Sequence, residues 1–271
     1  METFVINLKR SVKRRQLMKR QLDRMGIPYR FFEATDGREL SEDERQRLCV
    51  DASEMHNDLS AGQIGCAFSH YRIYKTMIEE GIETAFVLED DVHLAPELPQ
   101  ILEGIDKTIG DDELVLVFFV PGAGIQLTTM DAHPLVGKYR LLYPLNVTNV
   151  MSGVAYVLKL PVARELAKAV YPIRTAVDHW PLWYEKGAFR SMRCVVPSPI
   201  RLSLDLPSDI GLGQSTNPVV RQVVDFVTEK NVFPFNKLLE WNRVRVMQEM
   251  QKTLKITNEK SPLAPGTGIV S

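Results

Sequence analysis

Apolar and polar positions along the chain group into short runs that alternate between strand and helix periods. Residues 3–8 form an apolar run typical of a buried strand. Ser11 then stands at the start of a helix whose Met18, Leu22 and Met25 recur at helical spacing, with Gly26 to stop it. Tyr29 to Phe32 reads as a second strand, and Asp36-Gly37 as a turn. Residues 40–58 read as a helix plus loop. Ser60 and Gln63 have capping-box spacing and open a helix with Ile64, Ala67, Phe68, Tyr71, Tyr74 and Ile78 on one face, ended by Gly81. Residues 84–88 are a third strand, and Pro96 opens a short helix facing inward through Leu98, Ile101, Leu102 and Ile105. Residues 113–120 give the most apolar strand, 135–145 a hairpin arm, 150–160 a strand crossing Ser152-Gly153, and 191–196 a late strand. Pro161 leads a helix between the last two. The alternation predicts an α/β fold with a mostly parallel central sheet flanked by helices.

Composition narrows the class without naming it. The 271 residues are 45% hydrophobic and 25% charged, which suits a chain with a sizeable core. A net charge of -1 supplies no field for nucleic acid. Cys49, Cys66 and Cys194 are odd in number and lack a CxxC pair, which argues against a disulfide framework or structural zinc. The first residues show neither the order of a signal peptide nor a membrane span, so a cytoplasmic protein is expected.

The third strand runs directly into Glu89, Asp90 and Asp91. Three acids at a strand end need positive compensation. Their hard oxygens suit Mg²⁺ or Mn²⁺. Ligands of open α/β sheets bind at the carboxyl ends of strands. The Glu89-x-Asp91 spacing is close to a metal-binding D-x-D, although a solvated turn accounts for such acids equally simply.

Five segments in order resemble glycosyltransferase family 25: Phe4 to Arg10 followed by Arg14-Arg15; Gly62 to His70, similar to a GxxGCxxSH segment; Leu88 to Val92, similar to LEDDV; Ser152 to Tyr156, similar to SGxAY; and Val177 to Trp180. The resemblance implies a GT-A fold, a UDP-sugar donor, and inverting transfer of a hexose, galactose first, to a hydroxyl. Its bacterial branch implies a lipooligosaccharide or lipopolysaccharide core acceptor, and its other branch collagen hydroxylysine. The absence of a signal peptide favours the first.

With that resemblance, Asn7 and Arg10 are expected at the nucleotide, Arg10 on the diphosphate. Ser69 and His70 are expected on the donor, two turns into their helix and too deep for its opening amides to help much, or else as packing residues. Asp91 and Glu89 are the metal candidates, and Asp90 faces the ribose or caps the strand. Ser152 and Gly153 let the backbone approach the donor sugar, or mark a bulge. Asp178 is the candidate base for the acceptor hydroxyl, with an ordinary helix N-cap as its other reading. The aromatic faces of Trp180, Trp183 and Tyr184 are expected to stack on the acceptor. Residues 1–215 are taken as the catalytic domain, 216–257 as a C-terminal helical extension and 258–271 as a flexible tail. Basic residues on 235–256 suggest either peripheral contact with the inner membrane or a solvated back to a packing helix. A metal-dependent phosphodiesterase and a non-catalytic carbohydrate-binding module are the competing classes.

Overall fold

The computed structural model describes residues 1–51, 54, 59–121, 125–148, 150–203 and 254–264. Their strands are β1 (Glu2–Asn7), β2 (Arg30–Glu33), β3 (Thr84–Glu89), β4 (Val92–Leu94), β5 (Glu113–Pro121), β6 (Gln126–Pro134), β7 (Arg140–Pro144), β8 (Val150–Lys159), β9 (Ser191–Val196), β10 (Ile200–Leu202) and β11 (Lys255–Thr257). The helices are α1 (Val12–Met25), α2 (Glu42–Leu48), α3 (Ala61–Glu80), α4 (Leu98–Thr108), α5 (Leu160–Val170) and α6 (Trp180–Glu185).

Nine strands form one sheet in the order β11-β6-β7-β9-β5-β8-β3-β1-β2, and β4 pairs separately with β10. The α/β architecture, a large central sheet flanked by helices, is as expected. Strands β2, β1 and β3 run parallel, whereas β8 runs antiparallel to both β3 and β5, so the sheet is mixed.

Side chains alternate across the strands, and both faces of the central ones, β1, β3 and β8, are buried. Phe4, Ile6, Val87 and Tyr156 face a core built with Ile73, Tyr74 and Met77 of α3 and Val162, Leu166 and Val170 of α5. Val5, Phe86, Leu88 and Val157 face the opposite core, under Met18 and Leu22 of α1 and Ile101 and Ile105 of α4. Gly26 and Gly81 end α1 and α3 in the left-handed conformation, which a residue without Cβ adopts without strain. The Ser60–Gln63 capping box forms in both directions, at 2.9 and 3.3 Å.

Several boundaries differ from the sequence reading. α4 begins at Leu98 with Pro99 in its first turn, and Pro96 stays outside. The hairpin arm begins at Gln126, earlier than expected. Most of the helix expected over 235–256 and part of the tail lie outside the described residues. Where described, Lys255–Thr257 pairs with β6 as a strand. Just beyond it, Ser261, Leu263 and Ala264 are buried, and Ser261 Oγ donates to Pro144 O at 2.6 Å. That stretch of the expected flexible tail is packed, because Leu263 and Ala264 join the core and the Ser261 hydroxyl is satisfied at the end of β7. Among the described residues no helix is long and apolar enough to cross a membrane.

Candidate functional site

The carboxyl ends of β1 and β3 lie side by side, with Ile6 in register with Glu89. Asn7 and the three acids therefore meet at one edge of the sheet, as the parallel topology requires. Asp90 turns inward. Its Oδ2 accepts from Asn7 Nδ2 at 2.5 Å, and its Oδ1 accepts from Arg14 Nη1 at 3.0 Å. Burial pushes the Asp90 carboxyl up to about 6, while Arg14 and the Asn7 bond pull the other way. Arg14 also lies 3.8 Å from Asp91 Oδ2. Asn7 is 2% exposed and additionally donates to Ser11 O at 3.2 Å, so it braces Asp90 and the start of α1.

A pocket of about 510 Å³, counted with its open mouth, lies against this edge. Arg10, Arg14, Thr35, Asp36, Cys66, Ser69, Glu89 and Asp90 are among its lining residues. Arg10 pairs with Asp36 across it. Ser69 is fully buried. Its Oγ accepts from Thr35 N at 2.8 Å and donates to Gly65 O at 2.6 Å, tying the loop after β2 to α3. Gly65 lets that loop approach: a Cβ there would lie 2.5 Å from Thr35 O and 2.6 Å from Gly37 N. Gly65→Ala is accordingly expected to cost about 1–3 kcal/mol of stability, from backbone displacement. Urea unfolding checks it, and a variant as stable as the parent would refute the close-approach argument.

A second set of residues adjoins Glu89. His70 Nε2 lies 3.6 Å from Glu89 Oε1, and Cys66 Sγ lies 4.0 Å from the same oxygen. His70 Nδ1 meets Tyr156 Oη at 2.7 Å, and Tyr156 Oη meets Tyr74 Oη at 2.8 Å. β8 is irregular here. Its pairing with β5 shifts register, and Ser152 takes φ 96°, a costly conformation for a residue with Cβ. The bulge read from Gly153 is present, with Ser152 rather than Gly153 carrying the positive φ. Gly153 leaves a gap in which a Cβ would meet Val177, Asp178 Cβ at 3.6 Å and His70 Cε1 at 3.8 Å.

Asp178 is thus brought beside His70 and, through it, Glu89. Burial raises its carboxyl above the ordinary range, and the Glu89 charge raises it further. Its own amide and that of Ser152 act in the opposite direction. Two indoles hold the segment in place: Trp183 Nε1 donates to Val177 O at 2.7 Å, and Trp180 Nε1 to Ser152 O at 3.1 Å. Both tryptophans are fully buried, so neither can stack on an acceptor as expected. The apolar bodies fill the core and the N–H tips fix the loop. His179, not Asp178, is the N-cap residue of α6.

Asp91 is absent from the pocket lining, yet its charge, like those of Glu89 and Asp178, reaches Cys66, whose thiol is raised first by burial. Among the described residues, the ligand atoms close enough to share one ion are those of Cys66, His70 and Glu89 rather than of three carboxylates, and Arg14 is directed at Asp90. Sequence reasoning missed Arg14, Asp36 and Tyr156. Arg14 had a signal: it continues the buried 14-18-22 stripe of α1, and an arginine on an apolar stripe requires a buried anion.

The sequence profile described as "Glycosyltransferase family 25 (LPS biosynthesis protein)" matches residues 1–180, well over half of the chain. The chain belongs to glycosyltransferase family 25. Among curated family 25 relatives, it is 36% identical over 103 residues to a Drosophila melanogaster protein named glycosyltransferase 25 family member, covering 36% of this chain and 17% of the relative. It is 33% identical over 126 residues to human procollagen galactosyltransferase 2, covering 43% of this chain and 20% of the relative. A rat protein named probable inactive glycosyltransferase 25 family member 3 is 35% identical over 114 residues, 40% of this chain and 20% of its own length. These matches span a fifth or less of each relative's length.

Proposed function

We propose that the chain is an inverting hexosyltransferase that moves galactose from UDP-galactose to a hydroxyl of a lipid-linked oligosaccharide core. The observation that supports this reading is that Glu89, which lines the pocket at the carboxyl edge of the sheet, adjoins His70, and that His70 and Asp178 meet at Gly153 behind it. The acceptor oxygen attacks the anomeric carbon as the bond to the diphosphate breaks, and Asp178 takes the proton of the attacking hydroxyl. Arg10, on the pocket wall, exchanges part of its pairing with Asp36 for the diphosphate. Asn7 and Arg14 hold Asp90 at the pocket floor toward the nucleotide, and Ser69 holds the loop after β2. Ser152 and Gly153 let the β8 backbone approach the donor sugar closely. Glu89 and Asp91 would hold a divalent ion, Mn²⁺ or Mg²⁺, which when bound supplies positive charge at the departing diphosphate.

Two other readings have specific support. The human relative's name favours a procollagen acceptor, for which the family resemblance implies hydroxylysine, and the rat relative's name favours a chain without turnover. UDP release distinguishes all three. The protein is incubated with UDP-galactose, UDP-glucose or UDP-GlcNAc, with Mn²⁺ or EDTA, and with a truncated lipooligosaccharide or a hydroxylysine peptide. Release with UDP-galactose and the lipooligosaccharide alone is the expected result. Release with the peptide instead would replace the acceptor, and nucleotide binding without release under every condition would overturn the transferase reading. Asp91→Asn is expected to lower turnover by about 10²-fold or more, given the several kcal/mol that an ion contributes to such a step. Undiminished turnover in Asp91→Asn would remove Asp91 from the ion site.

A further inference from the structure

Cys66 and His70 lie four residues apart on α3, so both side chains project from one face of the helix. Both reach toward Glu89, at the end of β3. The three potential ligand atoms, Cys66 Sγ, His70 Nε2 and Glu89 Oε1, all lie within 4.8 Å of one another. Tetrahedral coordination at zinc bond lengths spaces such atoms by about 3.3–3.6 Å. The His70–Glu89 separation of 3.6 Å is already in that range, and the 4.0 Å from Cys66 to Glu89 needs only a small side-chain adjustment.

A second observation points independently to a ligand. His70 is fully buried, yet its Nε2 has no hydrogen-bond partner. The distance to Glu89 is too long for a hydrogen bond. Leaving a buried ring nitrogen unsatisfied is costly. The opposite nitrogen is well anchored, through Tyr156 to Tyr74. With Nδ1–H donated to Tyr156 and Tyr156 O–H donated to Tyr74, Nε2 presents its lone pair toward Glu89. This is the outer arrangement that fixes a metal-ligating histidine in its tautomer and orientation.

We propose that Cys66, His70 and Glu89 form a binding site for a borderline transition-metal ion of the zinc or cobalt class, with its fourth position open to the pocket. Cys66 and Glu89 both line that pocket, so an ion has a route in and room for a water. The site differs in chemistry from the hard-ion site proposed at Glu89 and Asp91. A thiolate and an imidazole select zinc or cobalt over manganese or magnesium. Binding exchanges the Cys66 thiol proton for the metal, and one proton leaves to solvent. Because Glu89 serves both sites, zinc at Cys66 and His70 withdraws it from the hard ion and acts as an inhibitor.

The test uses the full chain, stripped of metal with a chelator and titrated with Co²⁺ alone, without any sugar donor. Its outcome is therefore independent of transferase activity. The expected result is uptake of one equivalent, with a near-ultraviolet thiolate-to-cobalt charge-transfer band that Zn²⁺ abolishes and equal Mn²⁺ does not. Cys66→Ala is expected to lose the band, whereas Asp91→Asn keeps it. Tyr156→Phe, which removes the partner of His70, is expected to keep the band and weaken Co²⁺ affinity by about 10–100-fold. Absence of the band in the parent protein, or its survival in Cys66→Ala, would overturn the proposal. Unchanged affinity in Tyr156→Phe would overturn it too, and that variant covers the case in which Cys66→Ala does not fold.

Discussion

Asp178→Asn is expected to slow hexose transfer by about 10²–10⁴-fold, the usual contribution of a positioned general base, while leaving donor binding and unfolding nearly unchanged. The side chains are isosteric, and the indole bonds of Trp180 and Trp183 that hold the segment end on backbone carbonyls, not on the carboxylate. A structural role would give the reverse pattern, with lowered stability and preserved turnover. The pH profile offers a second readout. Asp178 must be ionised to take a proton, and burial followed by the charge of Glu89 holds its pKa above the ordinary aspartate value. Turnover should therefore fall as pH drops through that raised pKa, at a higher pH than for an exposed aspartate. The residual activity of Asp178→Asn should lack this acid limb. A limb that persists unchanged in the variant would assign it to another group.

Arg193→Met is expected to lower the unfolding free energy by about 3–5 kcal/mol, because it leaves Glu113 charged, buried and without its partner. The two residues lie on the parallel strands β5 and β9, both about 5% exposed or less. Arg193 Nε and Nη2 reach the two carboxylate oxygens of Glu113 at 2.5 and 2.6 Å. Arg193 Nη2 also donates to Thr108 O at 2.9 Å, and Gly110 N donates to Glu113 Oε2 at 3.0 Å, so the pair closes the end of α4. The double variant Glu113→Leu with Arg193→Met should recover most of that loss, since removing both charges leaves neither uncompensated. Urea unfolding of both single variants and the double measures the coupling. Strictly additive losses would show that the pair does not act as a unit.

Local pattern was enough for much of the frame. The apolar runs placed β1, β3, β5, β8 and β9, and the Ser60–Gln63 box and Gly81 bounded α3, because these signals act between residues a few positions apart. The carboxyl edge of β3 was also legible as a site, since three acids after a buried run demand compensation. What compensates them was not legible. Arg14 reaches Asp90 only because α1 packs back beside β3, and Asp178 reaches the neighbourhood of His70 only because the segment after α5 packs against β8 at Gly153. The tryptophans misled for the same reason. Beside Asp178 in sequence they read as an exposed platform, whereas the fold buries both rings.

Glu113 and Arg193 illustrate the general limit. Glu113 opens an apolar strand and Arg193 stands within another, and only the pairing of β5 with β9 turns them into a buried ion pair. Strand period, capping and turn chemistry are short-range properties, and the sequence by itself determined them. Which charge meets which, and which polar atom is left unpartnered, depends on contacts between residues some 70 to 90 positions apart, from Arg14–Asp90 to His70–Tyr156. Only the tertiary structure decided those, because sheet order and helix docking bring such groups together and no local periodicity encodes that order.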